Sequence, residues 1–516
     1  PLPLIITILL LFVAFKAYRP ASSNAPLLNP RKAYELSDGR LKAGFMVNGH
    51  HIVADWFKKN PERPMRLISD AGEITVLPPS RAREIRNEKR LSFTAFMHQV
   101  RAALRRSSVW GLSLTTEKSM HAHIPGFDGF REASGGTNLL QTVLTKDLTK
   151  SLNKITEPLA TEASLSLEGL LTNGKEFHTV NLQETILRLV ARMSSRVFLG
   201  TELCRDEAWL RVTREHTVTA FKASEELRMW PKLSRSVVHW FLPGCRELRA
   251  QVHEARQIIT ATLESRREQE AELLAQGKEP PKYNDAIEWF EQACKGTVLY
   301  DPTAMQLVLS AAAIHTTTDL ISQVLIRLAQ NPDIVESLRA EITAVLQEEG
   351  WSKTSLFKMK LLDSVIKESQ RMKPIQLVSM TRLALADVKL SDGTLIPKDS
   401  SLTVSSHRMW DPEVYDNPDQ WDGYRFLKMR EDPAKQNSAL LVSTGPDFLG
   451  FGHGQHACPG RFFAANEAKV AVLSFIMKYD FGLVGDAPPQ IVKHGFNLSG
   501  DPSIQMRVRR REEEVS

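Results

Sequence analysis

Cys458 lies in the run Phe451-Gly-His-Gly454-Gln-His-Ala-Cys458-Pro-Gly460, and a helical run from Asn466 to Phe475 follows it. Glycines on both sides let backbone N–H groups approach the sulfur and let a flat ligand lie close. The helix N-terminus that follows favours a negative sulfur. Such surroundings suit a thiolate that ligates a metal. The residues alone leave two other readings open: a buried structural cysteine, and a zinc site of His453, His456 and Cys458, for which no fourth ligand is visible. Upstream, Glu368 and Arg371 stand three apart in a helical stretch and share a face, so they can pair. On a solvated surface such a pair contributes only ~0.2–0.5 kcal/mol. Further upstream, the run Ala312-Ala-Ile-His315-Thr316-Thr317-Thr318-Asp319 falls in the middle of a long helical stretch. Its consecutive β-branched polar residues disfavour helix, and their hydroxyls can divert backbone carbonyls, so a locally opened notch able to hold water is expected.

The elements that must position these groups follow from periodicity. Asp301-Pro302 is an N-cap and first-turn pair and Asn331-Pro332 a stop, which predicts one helix of roughly 29 residues between them, about 43 Å long. A second helix carries Ile334, Val335, Leu338, Ile342, Val345 and Leu346 and ends at Gly350. Residues 65–77 read as a hairpin about the turn 69–72, and Pro78-Pro79 closes it. Strand-like pieces return at 388–396, about the turn Asp392-Gly393, and at 401–405. The charged stretch 246–282 reads as solvated helix and loop. The layout is mainly α with a minor β subdomain.

Composition narrows the class. With 516 residues, 42% hydrophobic and 24% charged, the chain resembles a soluble globular protein and excludes collagen, coiled coil and wholesale disorder. At ~150 residues per domain its length allows about three domains or one large one. Four cysteines cannot form a disulfide framework in so long a chain, which places the folded part on the reducing side of any membrane. The net charge of +6 mixes both signs and indicates no nucleic-acid partner. Residues 1–15 carry no charge before Lys16, short by about a turn of the ~20 residues a spanning helix needs. Residues 1–19 are therefore read as a truncated single-pass transmembrane anchor, with Lys16 and Arg19 holding the remainder in the cytosol. A cleaved signal peptide is the alternative, although no small-residue cleavage site follows Ala14-Phe15. Pro20, Pro26 and Pro30 make 20–30 a stiff linker, and 31–516 is the folded domain.

Phe451, Gly454, Cys458 and Gly460 match every fixed place of the haem-binding loop of cytochromes P450, and the chain resembles that family from about residue 30 onward. Glu368-Ser-Gln-Arg371 resembles the family's Glu-x-x-Arg, and Arg425 in Asp422-Gly-Tyr-Arg425-Phe426 stands where its structural partner belongs. The run at 312–318 resembles the long-helix notch of the family, with two departures: Ala313 for the usual glycine and His315 for the usual acid. Its wording resembles that of fungal microsomal secondary-metabolism P450s near the ent-kaurene oxidases.

The resemblance implies the P450 fold and haem b (iron protoporphyrin IX) ligated by Cys458, whose electron-rich thiolate promotes O–O cleavage. It implies that His456 and Arg382 face haem propionates, and that Thr316, Thr317 and His315 take part in oxygen activation, a histidine being able to relay protons near neutral pH. A packed histidine is the alternative for His315, and a surface arginine for Arg382. The implied pocket draws on Phe93, Phe96, Met97, Ala312, Leu377, Val378, Met380, Phe496 and Leu498. The implied reaction is monooxygenation of a lipophilic terpenoid, meroterpenoid or polyketide-derived intermediate with O2, electrons coming from NADPH through NADPH-cytochrome P450 reductase. The chain is expected to be a monomer on the endoplasmic reticulum membrane. Lys428, Arg430, Arg461 and Lys469 could form a basic docking face for the reductase or be ordinary solvated charge. Trp230, Trp240, Phe241 and Leu242, among Arg228, Lys232 and Arg235, could dip into a membrane or pack in the core. Desaturation, ring expansion or rearrangement by the same centre is the alternative chemistry, and a non-enzymatic zinc or structural-cysteine protein is the remote one.

Overall fold

Helices dominate, as the periodicity between Pro78 and residue 375 requires. The computed structural model describes residues 23–32, 35, 37–98, 121, 123–133, 138–230, 234–294, 299–485 and 489–512. In chain order they form α1 (Gly39–Lys59), β1 (Met65–Ser69), β2 (Gly72–Leu77), β3 (Leu91–Ser92), α2 (Phe93–His98), α3 (Asp128–Ala133) and α4 (Thr149–Leu171). Next come β4 (His178–Asn181), α5 (Leu182–Leu203), α6 (Glu207–Met229), α7 (Pro243–Ala275), α8 (Ala286–Cys294), α9 (Pro302–Gln330), α10 (Pro332–Glu349), α11 (Lys353–Lys358) and α12 (Lys360–Met372). The chain ends with β5 (Val378–Ala384), β6 (Val388–Lys389), β7 (Leu395–Ile396), β8 (Ser401–Ser405), α13 (Arg425–Met429), α14 (Arg461–Lys478), β9 (Tyr479–Leu483), β10 (Ile491–His494), β11 (Asn497–Gly500) and β12 (Gln505–Arg510).

Helix α9 runs its full 29 residues, and the Asp301 carboxylate accepts from the Ala304 N–H at 3.1 Å to start it. Its buried Leu307, Ile314, Ile321, Val324 and Leu325 join the largest apolar cluster together with residues of α4, α5 and α14. Each such side chain contributes roughly 1.5–3 kcal/mol by leaving water. α9 is thus the axis on which the helical layer is built.

The minor sheet has strand order β1-β2-β8-β5-β3. Strands β2 and β8 pair in parallel, Ile74 opposite Ser401 and Leu77 opposite Val404, and the hairpin expected at 65–77 is antiparallel. Between Ser379 and Arg382 the register of β5 on β8 shifts, with Met380 held at φ 56°. This bulge re-aims the strand just before Arg382.

The expected notch in α9 is corrected: the helix is continuous there. The Thr316 hydroxyl donates to the Ala312 carbonyl at 2.7 Å and Thr318 to the Ile314 carbonyl at 2.7 Å, so both hydroxyls are absorbed by the helix's own backbone without breaking it. Among the described residues no helix is long and apolar enough to cross a membrane. The expected anchor at 1–19 and the start of the linker lie outside the described residues, as does Lys232.

Candidate functional site

The loop before α14 is built around Gly454. It sits at φ +81°, where a Cβ would fall 2.6 Å from the Arg86 carbonyl oxygen, so both its conformation and its neighbour require glycine. Across this contact the Gln455 N–H donates to the Arg86 carbonyl at 3.2 Å and to the Asn87 side-chain oxygen at 3.1 Å. The loop closes where the Cys458 N–H donates to the Phe451 carbonyl at 2.8 Å. Cys458 is half-buried, and burial pushes its thiol up. The backbone N–H groups of Gly460 and Arg461 and the Arg461 charge act the other way. These are the groups that would hold a thiolate once a metal had replaced the proton. A Cβ at Gly460, at the start of α14, would meet nothing within 4 Å, so the loop leaves open space there.

Two basic groups gather beside this loop. Arg382 is only 2% exposed, its Nη1 donates to the Thr381 carbonyl at 2.7 Å, and its Nη2 has no hydrogen-bond partner among the described residues. Burial pushes its guanidinium down to about 10. Its charge and burial together push His456 down as well. Phe93, at the start of α2, stands next to both, its ring 5.8 Å from the Arg382 Cζ and 6.3 Å from the His456 ring. A buried guanidinium without a carboxylate is costly unless an anion completes it. The sulfur, the open side of Gly460 and the buried Arg382 guanidinium with its unpartnered Nη2 fit a flat metal macrocycle with acidic side arms.

Zinc has less support, since among the described residues no three His, Cys, Asp or Glu side chains stand where one ion could be held. His453 instead contacts the Thr444 hydroxyl at 3.2 Å.

Glu368 and Arg371 of α12 form a bidentate pair, both bonds 2.8 Å, with side chains fully buried. Arg425 Nε donates to the same carboxylate at 3.1 Å and its Nη1 to the Asp416 carbonyl at 2.6 Å. Arg371 also donates to the Met409 and Pro418 carbonyls, at 2.6 and 2.8 Å. The three charges thus tie α12 to the segment 409–425, in the interior rather than in solvent.

Other groups missed in the sequence extend this brace. Lys367, fully buried between the Phe426 and Phe448 rings, donates to the Ser438 and Leu440 carbonyls at 2.9 and 2.6 Å, and burial pushes it down to about 7. Asp363 pairs with Arg430 and with Lys469, the latter at 2.5 Å. The expected docking face is therefore corrected. Arg430 and Lys469 are turned inward and neutralised by Asp363, while Lys428 is exposed and paired with Asp422 at 3.2 Å. A lysine carboxylate pairing pattern of this kind has no local sequence signal, because Asp363 is distant in the chain from Arg430 and Lys469.

The remaining expected residues separate. His315 is half-buried, and its Nε2 lies 3.0 Å from the Arg214 carbonyl of α6, so it tethers α9 to α6. Burial pushes the ring down, and the hydrogen bond to the Arg214 backbone acts the other way. Thr317 is buried. Ala312 and Phe93 are exposed, and Phe96 and Leu377 half-buried. Val378 packs with Phe45, Val53 and Phe57 of α1, and Met380 with Leu77, Ile85 and Leu91, both at the apolar faces of the sheet. Phe496 stacks edge-on against Phe45 at 4.8 Å, and Leu498 is buried. The Met97 side chain lies outside the described residues.

The Cytochrome P450 family model matches residues 133–506, and the chain belongs to that family. It is 47% identical to cytochrome P450 monooxygenase hepE of Aspergillus oryzae, covering 95% of this chain and 87% of that protein. It is 43% identical to cytochrome P450 monooxygenase TRI1 of Fusarium sporotrichioides, over 95% of this chain and 86% of the relative. With dihydromonacolin L monooxygenase mokC of Monascus pilosus it shares 38%, over 96% and 91%. The protein is thus a cytochrome P450 monooxygenase.

Proposed function

We propose that this monooxygenase oxidises a lipophilic intermediate of fungal secondary metabolism, terpenoid, meroterpenoid or polyketide-derived, with Cys458 as the axial ligand of haem b. The observation that carries the reading is the Cys458 loop, with His456 in it and the buried Arg382, whose Nη2 has no hydrogen-bond partner among the described residues, close to His456. When bound, haem b supplies O2 reduction and O–O cleavage, aided by electron donation from the thiolate.

The chain's own residues do the rest. The N–H groups of Gly460 and Arg461 would favour a negative sulfur, Arg382 and His456 would hold the haem propionates, and Glu368, Arg371 and Arg425 tie α12 to the segment 409–425. The Thr316 hydroxyl, parked on the Ala312 carbonyl, is the mobile proton donor of α9, and His315 holds α9 against α6. Phe93 and Ala312 are exposed and Phe96 half-buried, apolar groups that suit a hydrocarbon skeleton.

Met229, Trp230, Val237, Trp240 and Phe241 are all exposed, Phe241 by 75%, so the α6–α7 connection carries an apolar patch that supports residence on the endoplasmic reticulum membrane. Electrons come from NADPH through a reductase. The test is reconstitution of the holoenzyme with NADPH-cytochrome P450 reductase, isotopically labelled O2 and a panel of terpenoid and polyketide lipids. A product one labelled oxygen heavier supports the reading. A product lighter by two hydrogens replaces oxygenation with desaturation, and NADPH-independent turnover overturns it.

A further inference from the structure

A cleft of about 730 Å³ lies away from the Cys458 loop, between α4, the end of α5, α7 and the segment before α8. Its volume falls within the range of small-molecule sites. Its apolar lining is Pro158 and Leu203, both half-buried, with the buried Ile155 and Val197 behind them. The lining also holds a fixed polar frame. Arg266 donates to Asp285 at 2.6 and 3.2 Å and to the Leu199 carbonyl at 3.1 Å, and its guanidinium lies 4.0 Å from the Tyr283 ring centre. Helix α5 leaves helical geometry at Gly200, φ 86°, where a Cβ would come 3.2 Å from an Asp285 oxygen and 3.3 Å from an Arg266 nitrogen. Only glycine lets the backbone approach this pair, so the kink and the frame are one construction.

The charges are what distinguish this cleft from a packing defect. Glu162 takes both Arg192 and Arg205, and Asp285 takes Arg266. Arg196, one turn after Arg192 and half-buried on the cleft lining, is left with no ion-pair partner among the described residues, as are Lys154 and Lys282 on the rim. Glu202, the remaining carboxylate of the lining, is exposed and pairs with none of them.

We propose that this cleft is a second binding site, for a small amphiphilic anion: a carboxylate or phosphate held by Arg196 and the rim lysines, with its apolar body against Pro158 and Leu203. The anion could come from a free acid of the pathway or from a lipid headgroup, and the test separates the two.

Full-length holoenzyme is titrated calorimetrically with decyl phosphate, inorganic phosphate and 1-decanol while the Soret band is monitored. Decyl phosphate is expected to bind without moving the Soret band. Arg196→Gln is expected to weaken it by about 10- to 100-fold, as for loss of a hydrogen bond to a charged group, and Lys282→Gln, a change on an exposed loop, by a smaller factor. Phosphatidic acid vesicles distinguish the sources: recruitment lost in Arg196→Gln assigns a headgroup, and unchanged recruitment with weakened decyl phosphate binding assigns a free acid. Equal binding of 1-decanol or of inorganic phosphate, binding insensitive to both variants, a Soret shift that tracks occupancy, or no binding would each overturn the site.

Discussion

Glu368→Gln probes the buried ion-pair cluster between α12 and the segment 409–425 most severely. The carboxylate accepts two hydrogen bonds from Arg371, one from Arg425 and one from the Asp422 N–H, and it is fully buried. Glutamine keeps the volume but removes the charge between two guanidinium groups and turns one acceptor into a donor facing them. Breaking one side of a buried ion pair costs about 3–5 kcal/mol, a large part of the roughly 5–15 kcal/mol that holds a typical protein folded. The exposed pair Arg188–Glu184, 3.2 Å apart with side chains 49% and 64% accessible, is the control. Arg188→Gln there costs at most about 1 kcal/mol. In a urea titration followed by circular dichroism and the Soret band, a slope of about 3 kcal/mol per M gives a fall in midpoint of about 1 M or more for Glu368→Gln, and under about 0.3 M for Arg188→Gln. Equal shifts in the two variants would refute the argument that burial, not proximity on one helix face, gives the pair its weight.

Three further outcomes are expected. Arg382→Met should leave the haem-free protein no less stable in thermal melts, since it removes a buried charge with an unpartnered Nη2, yet weaken haem retention by about tenfold or more, measured by transfer to apomyoglobin. Thr316→Ala should raise peroxide release and slow product formation by up to about 100-fold, the lower end of what a positioned proton donor contributes, while Thr316→Ser stays near wild type; coupling unchanged in Thr316→Ala would remove it from oxygen chemistry. Glu467 is fully buried with only the Ser194 hydroxyl on one oxygen, at 2.7 Å, and burial pushes it up to about 8. A carboxyl raised in the folded state makes stability fall as pH climbs from its unfolded value near 4.5 to about 8, so the melting-temperature advantage of Glu467→Gln over wild type should grow across that window and then level off.

Much of the fold was legible because its signals are local. Asp301-Pro302 and Asn331-Pro332 bracket α9, Gly350 ends α10, and the turn at 69–72 joins β1 to β2. What stayed hidden depends on partners distant in the chain. The parallel pairing of β2 with β8 joins segments more than half the chain apart, and no local pattern marks it. Lysine and arginine read as surface charge until Asp363 is seen to draw Arg430 and Lys469 inward. The threonine run misled for another reason: hydroxyls that can open a helix can equally bond back to its carbonyls, and Thr316 and Thr318 do so. At the site, Cys458, Gly454 and the Glu368–Arg371 spacing were visible in sequence. The support that Arg86 and Asn87 give the loop, and Lys367 the segment 438–440, was not, because it passes through backbone groups.

The central claim is that Cys458 ligates haem iron as a thiolate. Its most direct test is the absorption spectrum of the purified protein, reduced and exposed to carbon monoxide, beside Cys458→Ser. A strongly red-shifted Soret band in the wild type, lost in the variant, is the predicted result. A haem-loaded wild type whose band is not shifted, or whose shift survives in Cys458→Ser, would contradict it.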